Sequence, residues 1–314
     1  MSAEASANVA GATRHFLRLA DQTAADTRRM LERAFTLRDA ALPEAAEPPL
    51  AGRSVAMLFE KPSLRTRVSY EVGIRELGGQ AVVLGQHEVG LGQRESVADV
   101  ARVLGGMVDA IAARVFDHGT LETFAAHSGV PVINMLSDRY HPSQAIADAM
   151  TLMDEWGCEP SDLAGRRVAF VGDGNNVAVS LAWACKHLGM SFVLACPAGF
   201  EPPPDDLPGD GIEIVHAPEA SVKDADAVFC DTFVSMGQEA EKQERLATFA
   251  GYQVNDALLA HAKPEAVVLH CLPAYRGVEI TDAVMDGPRS RVFPEAWNRL
   301  HAQKGMLAEL LAGS

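Results

Sequence analysis

A short apolar run that gives way to a proline and then to an arginine-rich segment constrains this chain more than any other stretch. Residues 55–59 read Val-Ala-Met-Leu-Phe, which is typical of a buried strand. Pro62 ends the strand, and residues 63–67, Ser-Leu-Arg-Thr-Arg, open a helical pattern. At such a helix start, free backbone N–H groups and the helix dipole favour an anion, and arginine adds paired donors that suit phosphate. The segment therefore predicts an anion site. The alternative is a serine N-cap followed by solvated arginines.

The overall charge limits the partners that such a site can serve. The chain has 314 residues, 48% of them hydrophobic, and a formal net charge of −15. This length suits two domains of ordinary size. Nucleic acids and anionic membranes need a basic face on the protein, so we expect neither as a partner. A basic pocket in an acidic protein suits a small anionic substrate instead.

The cysteines and the start of the chain indicate the compartment. The five cysteines are Cys158, Cys185, Cys196, Cys230 and Cys271. No two of them form a Cys-x-x-Cys pair, so neither a disulfide framework nor a zinc ribbon is expected. The N-terminus lacks the basic and apolar regions of a signal peptide, and no apolar run reaches membrane-spanning length. We therefore expect a cytoplasmic protein with reduced thiols and no membrane partner.

Strands alternate with helices along most of the chain, which predicts an α/β fold with parallel sheets covered on both faces. The predicted strands are residues 55–59, 80–84, 109–113, 131–135, 167–171, 192–195, 212–215, 227–230 and 266–270. The predicted helices are residues 15–37 (as one or two helices), 63–77, 95–107, 120–127, 141–155 and 294–311. We expect residues 1–13 to be disordered, residues 42–50, 86–93 and 198–211 to form loops, and residues 232–252 to form either a solvated helix or a functional loop.

Five polar groups follow predicted strands or start the next helix, where open α/β sheets bind their ligands. They are Ser63–Arg67, Arg114, His141–Gln144, Asp231–Gly237 and His270–Pro273. Each alone has an ordinary explanation, because a lone arginine is usually a surface charge and His-Pro is often a turn. Together they predict one site at the carboxyl ends of the strands.

These groups, in this order, resemble the aspartate and ornithine carbamoyltransferase family over nearly the whole chain. Ser63–Arg67 is similar to the family's Ser-Thr-Arg-Thr-Arg phosphate loop, with Leu64 in place of the usual threonine. The most specific pieces are His270–Ala274, Asp231–Gly237 and Asn298–His301. The Ser-Met-Gly sequence at 235–237 favours the ornithine branch, because the aspartate enzymes lack it.

The resemblance implies the reaction of carbamoyl phosphate with L-ornithine to give L-citrulline and phosphate, by direct attack of the δ-amine and without a metal or cofactor. The implied carbamoyl phosphate ligands are Ser63, Leu64 through its backbone, Arg65, Thr66, Arg114, His141, Gln144, Cys271, Leu272 and Arg299. The implied ornithine ligands are Asn176, with Asn175 as an alternative, Asp231, Ser235 and Met236. The implied catalytic residues are Arg114, His141, Asp231 and Cys271, and Thr66 joins the first two at the carbonyl oxygen. Cys271 has a second interpretation, as a small buried residue.

The resemblance also implies two doubly wound domains, each with a central parallel sheet flanked by helices. Residues 1–145, with a returning C-terminal helix at 295–314, would bind carbamoyl phosphate, and residues 146–294 would bind ornithine. Family members are trimers or multiples of trimers with active sites at the subunit boundary. The Gln86–Gln93 loop would reach the neighbouring subunit's phosphate, although Gly90 stands where glutamine or histidine is common.

Three other functions are alternatives to the reaction that the resemblance implies. Gly172–Asn176 follows a strand as a dinucleotide loop would, but Val177 replaces the third glycine and no acidic residue follows the next strand, which disfavours a nicotinamide enzyme. A carbamoyltransferase for another amine, such as putrescine, is the alternative enzyme. A non-catalytic protein on the same fold would be expected to lose Arg114, His141 or the loop arginines, and none is lost.

Overall fold

Two parallel β-sheets form the centre of the molecule in a computed structural model, which describes residues 13–39, 47–92, 94–235 and 237–311. The first sheet contains β1 (Ser54–Phe59), β2 (Gln80–Gly85), β3 (Ala110–Arg114) and β4 (Val132–Leu136) in the order β2-β1-β3-β4. The second contains β5 (Arg167–Val171), β6 (Ser191–Ala195), β7 (Ile212–Val215), β8 (Ala227–Cys230) and β9 (Val267–His270) in the order β7-β6-β5-β8-β9. All neighbouring strands pair in parallel, so the predicted α/β class is confirmed.

Helices connect the strands and cover the sheets, as parallel strands require. They are α1 (Ala24–Asp39), α2 (Leu64–Glu76), α3 (Gln86–Val89), α4 (Val97–Gly105), α5 (His118–His127), α6 (Pro142–Trp156), α7 (Asn176–Leu188), α8 (Pro218–Val222), α9 (Lys242–Thr248), α10 (Asp256–Leu259), α11 (Asp282–Met285) and α12 (Val292–Leu311). Strands β3, β8 and β9 are buried along their whole length, although β9 lies at the edge of its sheet. Their continuous apolar sequences follow from this burial on both faces.

The last helix returns to the first half of the chain, as predicted. α12 packs against α1, α2 and α6. Gly305 lets α12 approach α1 closely, because a Cβ at this position would lie 2.4 Å from the backbone oxygen of Met30. This packing places the middle of α12 behind the start of α2, where the arginine-rich segment begins.

Most sequence predictions of elements agree with the structure, and three need correction. The 86–93 segment begins with the short helix α3 rather than a loop. The 198–211 segment has a buried residue, Asp206, which accepts hydrogen bonds from Arg139 and Tyr140. The 232–252 segment is not a solvated helix, because Arg245 of α9 is buried. Gln93, Met236 and part of the 42–50 loop lie outside the described residues. The predicted disorder of residues 1–13 also falls almost wholly outside them.

Two further features of the described residues are the state of the cysteines and the lengths of the helices. All five cysteines are free thiols. In the part of the chain that the structure describes, no helix has the length and apolar character needed to cross a membrane.

Candidate active site

A cavity of about 1040 Å³ opens at the carboxyl ends of the strands. Its wall takes residues from the segments that follow β1, β3, β4, β5, β6, β8 and β9, together with one residue of α12. The predicted site residues that line it are Ser63, Leu64, Arg65, Thr66, Arg114, His141, Asn175, Asn176, Asp231, Ser235, Cys271, Leu272 and Arg299. Gln144 and the described part of the 86–93 segment do not line the cavity, and Met236 lies outside the described residues.

The start of α2 places Arg65 and Arg67 in different surroundings. Ser63 is the N-cap, and its hydroxyl accepts a hydrogen bond from the backbone N–H of Thr66. Arg65 is half-buried and lines the cavity. Arg67 is exposed and pairs with Glu71 at 3.3 Å. The position of Arg65 suits an anion site, whereas Arg67 is a solvated surface arginine.

Four cations surround the anion end of the cavity, namely Lys61, Arg65, Arg114 and Arg299. Lys61 is not among the site residues that the sequence predicts. Lys61 is 6% exposed and lies 4.5 Å from the centre of the Phe116 ring. Burial and the nearby charge of Arg114 lower the pKa of Lys61 to about 8. Burial and the charges of Arg299 and Arg65 lower the pKa of Arg114 to about 10. Both shifts come first from burial, and the repulsion between these cations adds to it.

Three of these cations have no acceptor for their charged groups within the described ranges. The structure records neither a hydrogen bond nor an ion pair for the side chains of Lys61, Arg65 or Arg114. The Nε of Arg114 is also buried without a partner. Because buried charges are normally paired, these side chains indicate a binding site for an anion such as phosphate.

Arg299 lies in the wall between this anion end and the buried side chains behind it. Its Nη2 donates to Thr66 Oγ1 at 2.9 Å, and its Nη1 donates to Gln144 Oε1 and lies 3.5 Å from His141 Nε2. Since the Thr66 oxygen accepts from Arg299, the hydroxyl proton of Thr66 remains available to a ligand. Burial and the charges of Arg299 and Arg114 lower the pKa of His141 well below its ordinary value, so this imidazole is neutral.

The second half of the cavity is arranged around Asp231, which follows β8. Its Oδ2 accepts from Asn175 Nδ2 at 2.8 Å and its Oδ1 accepts from Cys271 Sγ at 3.2 Å. Burial and the Asp231 carboxylate raise the pKa of the Cys271 thiol well above its ordinary value. Cys271 is therefore a protonated donor in this arrangement, and a thiolate nucleophile is disfavoured.

The two neighbouring asparagines have different partners. Asn175 caps α7, because its Oδ1 accepts from the backbone N–H groups of Val177 and Ala178. Asn176 is the first residue of α7, and its Nδ2 donates to the backbone oxygen of Ser137 at 2.7 Å. Both side chains line the cavity, and each keeps one amide N–H that these bonds do not use.

Three potential metal ligands lie together although the sequence shows no ligand spacing. Asp231, His270 and Cys271 have ligand atoms within 4.8 Å of one another. Both nitrogens of His270 are already engaged: Nδ1 accepts from the backbone N–H of Leu272, and Nε2 lies 3.2 Å from Glu279 Oε1. A metal ion would have to displace one of these contacts. The arrangement instead fixes the backbone of the segment that follows β9.

The glycine-rich turn after β5 does not form a dinucleotide site. Asp173 in this turn is buried and accepts a hydrogen bond from Arg245 Nη2, while Arg245 Nε donates to the backbone oxygen of Phe233. A carboxyl group therefore occupies the turn where a pyrophosphate would need backbone N–H groups. The same contacts attach the 232–252 segment to the cavity wall.

Fold and cavity together define a two-substrate site in an α/β protein, with a cationic end for a phosphorylated compound and an acidic end beside it. The chain belongs to the aspartate/ornithine carbamoyltransferase family. Residues 14–154 match the family's carbamoyl-P binding domain, and residues 164–310 match its Asp/Orn binding domain.

Relatives of known name are similar over most of their length. An ornithine carbamoyltransferase of Bacillus subtilis is 48% identical over 274 residues, which cover 84% of this chain and 85% of that protein. The solved structure of the Pyrococcus furiosus ornithine carbamoyltransferase has a TM-score of 0.90 at 45% identity, covering 96% of this chain and 98% of that one. A structure of an N-acetyl-L-ornithine transcarbamylase has a TM-score of 0.82 at 31% identity, covering 95% and 99%.

Proposed function

We propose that this protein transfers the carbamoyl group of carbamoyl phosphate to the δ-amine of L-ornithine, giving L-citrulline and phosphate. The observation that carries the proposal is the single cavity that joins the unpaired cations after β1 and β3 to the carboxylate of Asp231 after β8. The relatives named ornithine carbamoyltransferase support the same reaction. One relative is named as the anabolic enzyme, which supports a role in arginine biosynthesis.

The phosphate group binds at the start of α2 in this proposal. Ser63, Arg65 and the backbone of Leu64 hold its oxygens, since the helix start supplies N–H donors that Leu64 retains without a hydroxyl. Lys61 adds charge to this subsite. Arg299 donates towards the carbamoyl end, and the backbone carbonyls of Cys271 and Leu272 accept its amide hydrogens.

The carbonyl oxygen faces Arg114, Thr66 and His141. The lone pair of the δ-amine forms the new C–N bond, and the C=O electrons move to the oxygen to give a tetrahedral intermediate. The oxygen's electrons then re-form the C=O bond, the C–O bond to phosphate breaks, and phosphate leaves with the electrons of that bond and takes up the proton that the amine loses. Each donor placed at the developing oxyanion typically contributes ~10²–10³ in rate.

The ornithine head group binds at the acidic end of the cavity. Asp231 and Ser235 hold its α-ammonium, and Asn176 and the backbone of Met236 hold its α-carboxylate. Asn175 serves mainly to orient Asp231 in this proposal, because it already donates to that carboxylate. The α-carboxylate distinguishes ornithine from putrescine, which has an ammonium in the same place but no carboxylate for Asn176 and Met236. The α-ammonium distinguishes ornithine from N-acetyl-L-ornithine, whose acetylated nitrogen carries no charge for Asp231.

The domain division and the assembly are part of the proposal. Residues 1–145 with the helix at 295–314 bind carbamoyl phosphate, and residues 146–294 bind ornithine. The protein is a cytoplasmic trimer, or a multiple of trimers, in which the 86–93 segment reaches the neighbouring subunit's site. This arrangement is supported by the position of the segment, whose described part lies outside the cavity of its own chain.

One experiment compares the amine substrates directly. Purified protein is incubated with carbamoyl phosphate and, in parallel, with L-ornithine, N-acetyl-L-ornithine, putrescine or L-aspartate, and the carbamoylated products are quantified. We expect citrulline as the main product, with the other amines at least about 100-fold slower in kcat/KM. Putrescine leaves the donors for the α-carboxylate unpaired, N-acetyl-L-ornithine leaves Asp231 unpaired, and L-aspartate has no δ-amine. Faster turnover of putrescine or N-acetyl-L-ornithine would reassign the substrate.

A further inference from the structure

Two carboxyl side chains that the proposed mechanism does not use lie directly behind the cavity wall. Asp148 of α6 and Glu295 of α12 are each 1% exposed. Gln144 Nε2 donates to both of them, at 2.8 Å to Asp148 Oδ1 and at 2.9 Å to Glu295 Oε1. One amide nitrogen therefore brings two buried acids together, although neither acid lines the cavity.

The hydrogen bonds of this pair require one proton. Both oxygens of Glu295 receive N–H groups, because Oε2 accepts from the backbone of His270 at 2.8 Å. Asp148 Oδ2 is buried with no donor among the residues that the structure describes. Burial raises the pKa of Asp148 to about 7 and, with the adjoining Asp148 carboxyl, that of Glu295 well above its usual range. With the proton on Asp148 Oδ2, the one oxygen of the pair that accepts no N–H group, the pair carries one negative charge.

The opposite charge lies on the other side of the Gln144 amide. Arg299 is 3% exposed, and no carboxylate of the described ranges forms an ion pair with it. Its direct partners are neutral: Gln144 Oε1, Thr66 Oγ1 and His141 Nε2. Because a guanidinium only donates, the Gln144 oxygen must face Arg299 and the amide N–H groups must face the acids.

We propose that the singly protonated Asp148–Glu295 pair is the counter-charge of Arg299 and holds its guanidinium in the cavity wall through the Gln144 amide. A buried cation needs such compensation. A direct ion pair would supply it but would draw the guanidinium away from Thr66 and the substrate. The relay through one amide balances the charge and leaves Arg299 at the cavity. The inference rests on the proposed function, in which Arg299 orients the carbamoyl group, and both acids are positioning residues.

The proposal makes the two carboxyl-to-amide substitutions unequal. In Asp148→Asn, the amide oxygen still accepts from Gln144, and the amide nitrogen donates to Glu295 as the protonated acid does. The negative charge remains on Glu295. In Glu295→Gln, an N–H group must face either Gln144 Nε2 or the His270 backbone N–H, and the counter-charge is lost unless Asp148 gives up its proton.

The test measures kcat/KM for carbamoyl phosphate at saturating ornithine, with thermal unfolding to verify that each variant folds. We expect kcat/KM to fall about 30-fold in Glu295→Gln and about tenfold in Asp148→Leu, because buried polar groups lose their partners and Arg299 is displaced. Asp148→Asn is expected to restore kcat/KM to within about threefold of the wild-type value. Equal losses in the two amide variants would overturn the proposal. If Glu295→Gln does not fold, a loss beyond tenfold in Asp148→Asn alone would overturn it.

A second measurement tests the relay through Gln144. Gln144→Met keeps the side-chain volume but removes both ends of the relay, so Asp148→Leu should reduce kcat/KM by less than about threefold in that background. A full tenfold further loss would show that Asp148 acts by another route. If the wild-type protein makes no citrulline, the proposed function fails, and the same cycle measured by urea unfolding still tests the relay. If the effects of Gln144→Met and Asp148→Leu on the free energy of unfolding simply add, the relay through Gln144 is overturned.

Discussion

Arg299 Nη2 in the last helix donates a 2.9 Å hydrogen bond to Thr66 Oγ1, although the two residues are 233 positions apart. This bond joins the C-terminal helix to the helix start that carries the phosphate subsite. It also sets the direction of the Thr66 hydroxyl, because an oxygen that accepts from Arg299 keeps its own proton for a ligand. The return of α12 to the first half of the chain is therefore part of the site as well as of the core.

The Thr66 hydroxyl is expected to stabilise the transition state. Thr66→Val retains the side-chain shape but removes the donor, and kcat should fall by about 10²-fold at saturating substrates. Thr66→Ser retains the hydroxyl and should lose less than about tenfold. Steady-state kinetics with both substrates measures this difference. Equal losses in the two variants would assign Thr66 a packing role only.

The arginines of the phosphate loop offer a matched pair for testing the anion subsite. Arg65→Lys removes the bidentate geometry, so carbamoyl phosphate should bind at least about tenfold more weakly, equivalent to about 1.4 kcal/mol. Arg67→Lys changes an exposed side chain that pairs with Glu71, and we expect no measurable change in affinity. Calorimetric titration with carbamoyl phosphate tests both, and a normal affinity in Arg65→Lys would remove Arg65 from the site.

The lowered pKa of Lys61 predicts a pH dependence of anion binding. A bound anion raises the pKa of this ammonium above the value of about 8 in the free protein. Binding is therefore strongest below pH 8 and weakens as the pH rises from 8 towards 9.5. Inorganic phosphate is already a dianion throughout this range, so its dissociation constant reports on the protein. We expect this dissociation constant to increase by about tenfold between pH 8 and 9.5, because one nearby positive charge is lost.

Lys61→Arg is the control for this titration. An arginine remains charged across the range, so the affinity of the variant for phosphate should stay constant between pH 8 and 9. Arg114 titrates nearer to pH 10, where burial and the neighbouring arginines place its pKa. An equal slope in the wild-type protein and in Lys61→Arg would show that Lys61 does not contribute to the anion subsite.

A site shared between subunits predicts complementation. One variant carries Arg65→Ala in the phosphate loop, and the other carries His87→Ala in the 86–93 segment. Oligomers mixed from the two should regain activity, because at one interface the intact phosphate loop of one subunit meets the intact 86–93 segment of its neighbour. Mixing is verified by mass spectrometry of the native assemblies. No recovery in mixed oligomers would indicate that each site is contained within one chain.

The sequence predicted those parts of the molecule that local rules determine. Buried parallel strands produce continuous apolar runs, and ligands bind where such strands end, so the sheets and the segments around Arg114 and Asp231 were predictable. The different environments of Arg65 and Arg67 could also be predicted from the sequence, because residues two apart on a helix do not face the same way. These inferences needed only the spacing of residues along one element.

The remaining features depend on contacts between distant segments. Lys61 is buried by Phe116, which follows a different strand, so nothing around Lys61 in the sequence marks it. Asp148 and Glu295 have the spacing of ordinary charged helix residues, and only the crossing of α6 and α12 buries them. The resemblance implies that Gln144 contacts the carbamoyl group. The crossing of the helices places its side chain behind Arg299, outside the lining of the cavity.

The protonation state of ornithine provides the last prediction. Only a neutral amine attacks a carbonyl carbon, and the δ-ammonium of free ornithine should titrate near ~10.4, as lysine does. At pH 7, fewer than about one molecule in a thousand is then reactive. Asp231 would oppose deprotonation if it faced the δ-ammonium, because a nearby negative charge stabilises the cation. We expect it to hold the α-ammonium, with the δ-amine beside Cys271 and Leu272.

At subsaturating ornithine and saturating carbamoyl phosphate, the rate should therefore rise from pH 6 to pH 8 by roughly tenfold per unit. Lys61 does not interfere in this window, because its pKa of about 8 lies at the upper end and carbamoyl phosphate is saturating. The slope should persist in Cys271→Ala, since burial and Asp231 keep this thiol protonated and it is not the base. The measurement is kcat/KM for ornithine across the range, with chemistry shown to limit the rate. A flat profile would mean that the ammonium form binds productively and that a protein group removes its proton, with Asp231 the first residue to test.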